Sequence, residues 1–431
     1  MAFTSLTHLS LFLPLALVLS AAVRGRKAGR VLQLVLGLAF LLGSGWRQAL
    51  FFLAFLLINY ALTFCGGSLR KALAVLLNIL AILLVKLLPF MPGGLLGLIL
   101  PLGISYAALQ ALSYHLDGAS GSLWDFAFYL LFFPKLPMGP LAAFSDLASQ
   151  APDRSACVDD LYAGLQRLIV GLVKKLLLAD RLAGIALAVQ TAAPQDRGSA
   201  LMVLAALVFP LQLYLDFSGY TDIALGTARA MGYRLPENFR QPFRADSLRD
   251  FWRRWHQSLT GWLGRYVYLP LGGSRMGMWR TVFNTAVVFL LIALWHGIGW
   301  GFLLWGAWNA LIITLERAGA LRPQRLPGVM RRLYVYLTAA AGFVFFTISG
   351  NPVQALRAFF IRGNPALALA QLNPLTLLAL LAGIALCALE GRGCLRKTPL
   401  PAAGLALMAL LLVSLLASAA GGYLPFLYAG F

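Results

Sequence analysis

Along the chain, long apolar runs alternate with short polar breaks. The first run covers Leu6 to Val23, and others fall near 31–45, 48–65, 72–90, 95–115, 122–138, 160–190, 198–230, 282–296, 297–315, 333–350, 372–389 and 401–420. A helix needs about 20 apolar residues to cross a bilayer, so this pattern predicts about ten to twelve hydrophobic segments in an all-α, polytopic transmembrane bundle. Several runs are broken by Gly or Pro, as in Phe133-Pro134-Lys135-Leu136-Pro137-Met138-Gly139-Pro140. At membrane depth such breaks are tolerated only where neighbouring protein or water satisfies the freed backbone groups, which predicts re-entrant pieces inside a thick bundle. No internal repeat or linker divides the chain. A single domain over 1–431 is expected, with N-terminal helices over 1–95, a core over 96–350 and C-terminal helices over 351–431.

The segment before the first run is uncharged, whereas Arg24, Arg26, Lys27 and Arg30 follow it. That polarity is wrong for a signal peptide and predicts a retained first helix with the N-terminus outside the cytoplasm. Composition agrees with a membrane protein, at 60% hydrophobic and 12% charged residues. The net charge of +20 would suggest nucleic acid in a soluble protein. Here the basic residues cluster between apolar runs, so the charge is explained by the positive-inside rule and no nucleic-acid partner is expected. Recognition of an anionic donor is a second use for it. Cys65, Cys157, Cys387 and Cys394 lack metal-ligand spacing, so neither a metal site nor a disulfide framework is expected.

The longest polar interruption, Tyr233 to Arg280, holds nine arginines against Glu237, Asp246 and Asp250, a balance of 9 − 3 = +6. That places it in the cytoplasm. Within it Phe251, Trp252, Trp255, Leu259, Trp262 and Leu263 recur at helical spacing, which predicts a cytoplasmic amphipathic helix lying in the interface. The run from Thr281 to Leu315 carries one titratable side chain, His296. An ionisable group at bilayer depth is a functional candidate, the alternative being a histidine that hydrogen-bonds a neighbouring helix. Arg280 and the basic residues from Arg317 to Arg332 flank this run, so both ends favour the cytoplasm and a helical hairpin broken at Gly297, Gly299 and Gly301 is expected. From Thr281 to His296 the climb is about 22 Å, short of the ~30 Å hydrocarbon thickness.

Several motifs occur in one order: Tyr214-Leu215-Asp216-Phe217-Ser218-Gly219-Tyr220-Thr221-Asp222, Pro236-Glu237-Asn238-Phe239, Phe251-Trp252-Arg253-Arg254-Trp255-His256, Tyr268-Leu269-Pro270-Leu271-Gly272-Gly273 and Leu294-Trp295-His296-Gly297. The series resembles the membrane-bound O-acyltransferase family, specifically the bacterial branch that includes the membrane subunit of alginate O-acetyltransferases. Pro101, Gly103, Gly139-Pro140, Lys174-Lys175, Asp180 and Pro425-Phe426 extend the resemblance from about Leu100 to the C-terminus. It implies an acyl donor bound on the cytoplasmic side and acyl transfer towards an acceptor hydroxyl through a tunnel. His296 matches the family's invariant histidine, and His256 a second characteristic one. Asn309 departs from the pattern, standing where relatives of this branch often carry another histidine, and Gly264-Arg265-Tyr266 replaces a usual Arg-Asp-Tyr.

These observations set the expected site. His296 and His256 are the candidate catalytic residues, with a neutral His296 imidazole as general base. Arg249, Arg253, Arg254 and Trp255 are candidates for donor binding, and Gly297, Gly299, Asp216 and Asn309 for the tunnel. Asp216 and Asp222 are expected to be satisfied internally or to share a polar cavity, His115 to be interfacial, and Lys174 and Lys175 to anchor an inner membrane face. Acetyl-CoA is the expected donor, as substrate and not as a bound cofactor. The expected setting is a bacterial cytoplasmic membrane, with acetyl passed to an exported polysaccharide through an extracytoplasmic acetyltransferase or export partner. D-alanyl transfer to teichoic acid is the alternative within the family. A transporter with a proton-relay histidine is the alternative outside it, weakened by the lack of an inverted repeat.

Overall fold

The computed structural model describes residues 3–23, 25–87, 103–150, 157–193, 195–347, 352–390 and 400–420. Arg24, Pro101, Cys394 and Pro425-Phe426 lie outside the described residues. Among the described residues every regular element is helical, in the order α1 (Leu13–Ala22), α2 (Arg26–Leu42), α3 (Trp46–Ala61), α4 (Gly67–Leu87), α5 (Ile104–Leu116), α6 (Leu123–Leu131), α7 (Phe144–Ala148), α8 (Val158–Leu172), α9 (Asp180–Thr191) and α10 (Ser199–Ala230). There follow α11 (Leu248–Arg254), α12 (Gln257–Leu263), α13 (Gly277–His296), α14 (Trp300–Arg317), α15 (Gly328–Phe346), α16 (Pro352–Arg357), α17 (Pro365–Gln371), α18 (Pro374–Leu389) and α19 (Leu400–Ala419).

Five described helices are long and apolar enough to cross a membrane: Trp46–Phe64, Gly67–Leu87, Ser199–Ala230, Gly277–His296 and Gly328–Phe346. A sixth span results if α17 and α18, bent by 66°, count as one. The bend has a local cause, because Asn373 caps α18 by accepting from the Thr376 amide and Pro374 occupies the first helical position. The described parts of the expected runs are largely helical, but those near 95–115 and 122–138 yield the 13-residue α5 and 9-residue α6, too short to span alone.

The chain packs as two compact units. The first comprises Met1–Leu172, Tyr220–Glu237 and Leu411–Gly430. In it α2 meets α6 through the Arg30–Asp125 ion pair, and Asp125 also closes a capping box with Ser122 at the start of α6. On α5, His115 is fully buried rather than interfacial: its Nδ1 accepts from Arg70 Nε of α4 at 2.9 Å, an acceptor reached by folding α4 against α5. His8, also fully buried, sits among the rings of Phe3, Phe12, Phe40 and Phe133. The proline-broken segment after α6 is satisfied by protein, as expected. Lys135 donates to the Gln110 side-chain oxygen, and the Met138 amide donates to Tyr220 Oη at 2.9 Å. Arg167 of α8 grips Asp222 at 2.9 Å and both oxygens of Glu237 at 2.6 Å, so Asp222 and Glu237 share one arginine.

The second unit comprises Val173–Gly219, Asn238–Leu410 and Phe431. A π-helical stretch, Val173–Ala179, presents two lysines inward. Lys175 lies 2.8 Å from Asp180 and 2.6 Å from Asp216, and Lys174 lies 2.6 Å from Glu390, which also accepts from the Tyr214 hydroxyl. Both lysines are buried, so they are internal counter-ions and not anchors at a membrane face. A buried ammonium without a carboxylate beside it would be costly, and the pairing offsets part of that cost. The α13–α14 hairpin forms as the glycines predict, with its break at Gly297–Gly299. The two helices approach closely because Gly306 has no side chain: a Cβ there would lie 2.8 Å from the Phe289 carbonyl oxygen. α13 begins at Gly277, earlier than the apolar run, so its 20 residues reach about 30 Å and His296 stands at the end of a full-length span instead of part-way along it.

Candidate active site

The expected amphipathic helix over 251–263 is two short helices, α11 and α12, joined at Trp255-His256. His256 has φ 47° and ψ 52°, the left-handed region that few non-glycine residues enter. The break turns the apolar stripe inward instead of along the membrane surface. Phe251 and Trp255 are fully buried, stacked on each other at 5.3 Å, and Trp255 also meets Phe239 at 5.2 Å and Phe343 at 5.4 Å. Trp255, expected at the donor, thus lies in an aromatic core beneath α11.

His296 is 4% exposed. Phe302 stacks on its ring at 6.2 Å, and Phe346, Trp295 and Trp305 meet it at 4.9, 4.9 and 5.7 Å. These residues come from α13, α14 and α15, so three helices enclose the imidazole. His256 is buried too, with Phe217 edge-on at 4.8 Å and Trp295 at 6.4 Å. The indole of Trp295 therefore contacts both histidines, and the two rings belong to one aromatic pocket. Burial pushes the His256 imidazole down to about 3, so it is neutral throughout the physiological range.

Two contacts hold α11 against α14. The Trp252 indole N–H donates to Asn309 Oδ1 at 2.8 Å, while Asn309 Nδ2 donates to the Trp305 carbonyl at 2.8 Å. Asn309 thereby joins the two helices. At the other end of α11, the Glu316 carboxylate accepts from the amides of Leu248 at 2.8 Å and Arg249 at 3.2 Å and from the Tyr334 hydroxyl at 3.1 Å. It caps a helix 67 residues away in sequence, with a negative charge at its N-terminus. Asn309→Leu is expected to strand the Trp252 N–H and lower stability by about 1–3 kcal/mol. Thermal unfolding of the purified variant checks this, and an unchanged midpoint would refute it.

Of the donor-binding candidates, Arg249 and Arg253 are exposed one helical turn apart, whereas Arg254 is committed to Asp250 at 2.9 Å. Partial burial, and after it the neighbouring cations Arg253 and Arg317, holds the Arg249 guanidinium below its usual range. With Glu316 also beside them, Arg249, Arg253 and Arg317 form a net positive patch suited to an anion. Of the tunnel candidates, Asp216 is taken up by Lys175 and Asn309 by Trp252. Gly297 and Gly299 both belong to the hairpin turn, but they differ. A Cβ on Gly297 would lie 2.5 Å from the Phe302 ring, and one on Gly299 would find its nearest neighbour at 3.9 Å. Glu316 and Asn238 were not anticipated as site residues. Glu316 had a signal, since it is the only acidic residue between Asp250 and Glu390.

Residues 39–359 match the membrane-bound O-acyltransferase family, and the chain belongs to that family. The match begins well before the motif series near Leu100. With its apolar spans, the protein is a multi-pass membrane protein. It is 38% identical over 275 residues to a probable alginate O-acetylase from Pseudomonas putida, covering 61% of this chain and 56% of that one. It is 31% identical over 279 residues to a peptidoglycan O-acetyltransferase from Helicobacter pylori, covering 56% and 52%. With a teichoic acid D-alanyltransferase from Bacillus subtilis it shares 27% over 287 residues, covering 59% and 68%. The chain spans just over half the length of the first two of these curated relatives.

Proposed function

We propose that the protein is an O-acyltransferase of the bacterial inner membrane that takes acetyl from acetyl-CoA on the cytoplasmic side and passes it towards an exported polysaccharide. The observation that carries this is the placement of His296, buried at the turn of a membrane hairpin in an aromatic pocket that it shares with His256. His296 takes the proton of the acceptor hydroxyl as the oxygen attacks the thioester carbonyl. The carbon–sulfur bond breaks, and the thiolate leaves with a proton returned by the imidazolium. The aromatic walls exclude water, which limits hydrolysis of the donor. Gly297 and Gly299 border the passage that the acyl group takes, and the N-terminus lies outside the cytoplasm. The relatives named for O-acetyl transfer, at 38% and 31% identity, favour acetyl over D-alanyl, represented at 27%. A separate extracytoplasmic acetyltransferase or export protein receives the group.

Labelled acetyl-CoA supplied to one face of proteoliposomes tests this directly. Label reaching an acceptor hydroxyl at the other face supports it, and movement of intact solute without acetyl transfer would replace it with a transporter. If Arg249 and Arg253 hold the donor's phosphates, Arg249→Glu with Arg253→Glu is expected to raise the donor KM more than it lowers kcat and to flatten the salt dependence of binding. Unaltered donor affinity at two ionic strengths would remove these arginines from the donor site.

A further inference from the structure

Asn238 is fully buried in the segment that precedes α11 and serves the turn that carries His256 in three ways. Its backbone carbonyl accepts from the Gln257 amide at 2.9 Å. Its side-chain Oδ1 accepts from the Ser258 amide at 3.2 Å and the Ser258 hydroxyl at 2.7 Å, and lies 3.1 Å from His256 Nδ1. The Ser258 contact removes an ambiguity. A backbone N–H only donates, so the amide atom facing it is oxygen and not nitrogen.

An amide oxygen carries no hydrogen, so the hydrogen bond to His256 needs the proton on Nδ1. Because the buried ring is neutral, it holds one proton only, and Nε2 becomes its acceptor nitrogen. The left-handed backbone of His256 belongs to the same arrangement. A conformation that costs of order 1–3 kcal/mol persists where the surroundings over-determine it. Here the Gln257 and Ser258 bonds to Asn238, with a 2.9 Å bond from the Arg240 amide to the Arg254 carbonyl, supply that constraint.

We propose that Asn238 is the positioning residue of the second histidine, fixing His256 as the Nδ1-protonated tautomer so that Nε2 is presented as an acceptor to an O–H or N–H group of a bound substrate. This rests on acyl transfer at this site, not on the identity of the acyl group or polymer. The chain has four histidines, so selective nitrogen-15 labelling of histidine in the full-length protein gives a resolvable set of ring signals. The His256 signals are assigned by their loss in His256→Gln. The expected result is a pyrrole-type shift at Nδ1 and a pyridine-type shift at Nε2, and the reverse pattern would overturn the proposal whatever the activity.

Asn238→Asp supplies the kinetic arm. Asn238, Phe217 and Trp295, which face the ring from three other elements, are uncharged. A carboxylate facing Nδ1 favours the imidazolium and raises the His256 pKa from about 3. A higher pKa means that the acceptor is lost sooner on acidification, so the acid-side fall in kcat moves to higher pH with little change in KM. Asn238→Leu, which cannot hold the tautomer, is expected to lose about 10²-fold in kcat at every pH. If Asn238→Asp superposes on the wild-type pH profile and Asn238→Leu loses activity only in step with its melting temperature, Asn238 merely braces the turn. An inactive wild type would instead count against acyl transfer and leave the tautomer measurement standing.

Discussion

His296→Ala is expected to lower acyl transfer by about 10²- to 10⁴-fold while the protein stays folded and inserted in the membrane. That is the range contributed by a positioned general base. Two features make the variant informative. The ring stands at the C-terminal end of α13, so its removal interrupts no span, and its neighbours Phe302, Trp305 and Phe346 also pack on one another. Their mutual contacts hold the pocket when the imidazole is gone. His296→Gln, which keeps more of the volume, is expected to lose as much rate with less effect on unfolding temperature. Near-normal transfer by either purified, inserted variant would remove His296 from the chemistry.

A single methyl group at Gly297 is expected to be nearly as damaging, and the same change two residues later to be mild. The added Cβ in Gly297→Ala would meet the Phe302 ring at 2.5 Å, and Phe302 is stacked on His296. Either the phenyl ring or the hairpin turn must move, and displacement of a catalytic group by about 1 Å can cost about 10²-fold. At Gly299 the nearest atom is 3.9 Å away, an ordinary contact, so Gly299→Ala should keep most of the activity. Transfer rate and unfolding temperature measured on both variants decide the matter. Equal, small losses would show that Phe302 gives way freely and does not orient the base.

The α13–α14 hairpin was legible because its cause is local: glycines interrupt an apolar run whose two ends are both basic. The clustered histidines were legible only through the ordered motifs, since residues 40 apart carry no periodic signal of their meeting. The reading over 251–263 failed for a definite reason. Its apolar period continues through His256, but one non-glycine residue in the left-handed region breaks the helix, and nothing in residue type announces that. Lys174 and Lys175 were misread because the positive-inside rule counts cations beside apolar runs and is blind to carboxylates that folding brings to them. Asp216 comes from a helix 41 residues on. Glu316 was visible in principle, as a solitary acid in an otherwise cationic stretch, yet its role depends on α11 beginning beside it.

The Lys174–Glu390 pair bears on where this protein can be cut. The recognised family segment ends at residue 359, and Glu390 lies beyond it, at the end of α18. Lys174, inside the segment, is buried and rests against that carboxylate, as does the Tyr214 hydroxyl. A fragment trimmed to the family's limits would take the negative charge away from an ammonium still enclosed by protein, a loss of about 3–5 kcal/mol for a buried pair. The matched family segment is shorter than the electrostatically self-sufficient one, and α18 belongs to the latter.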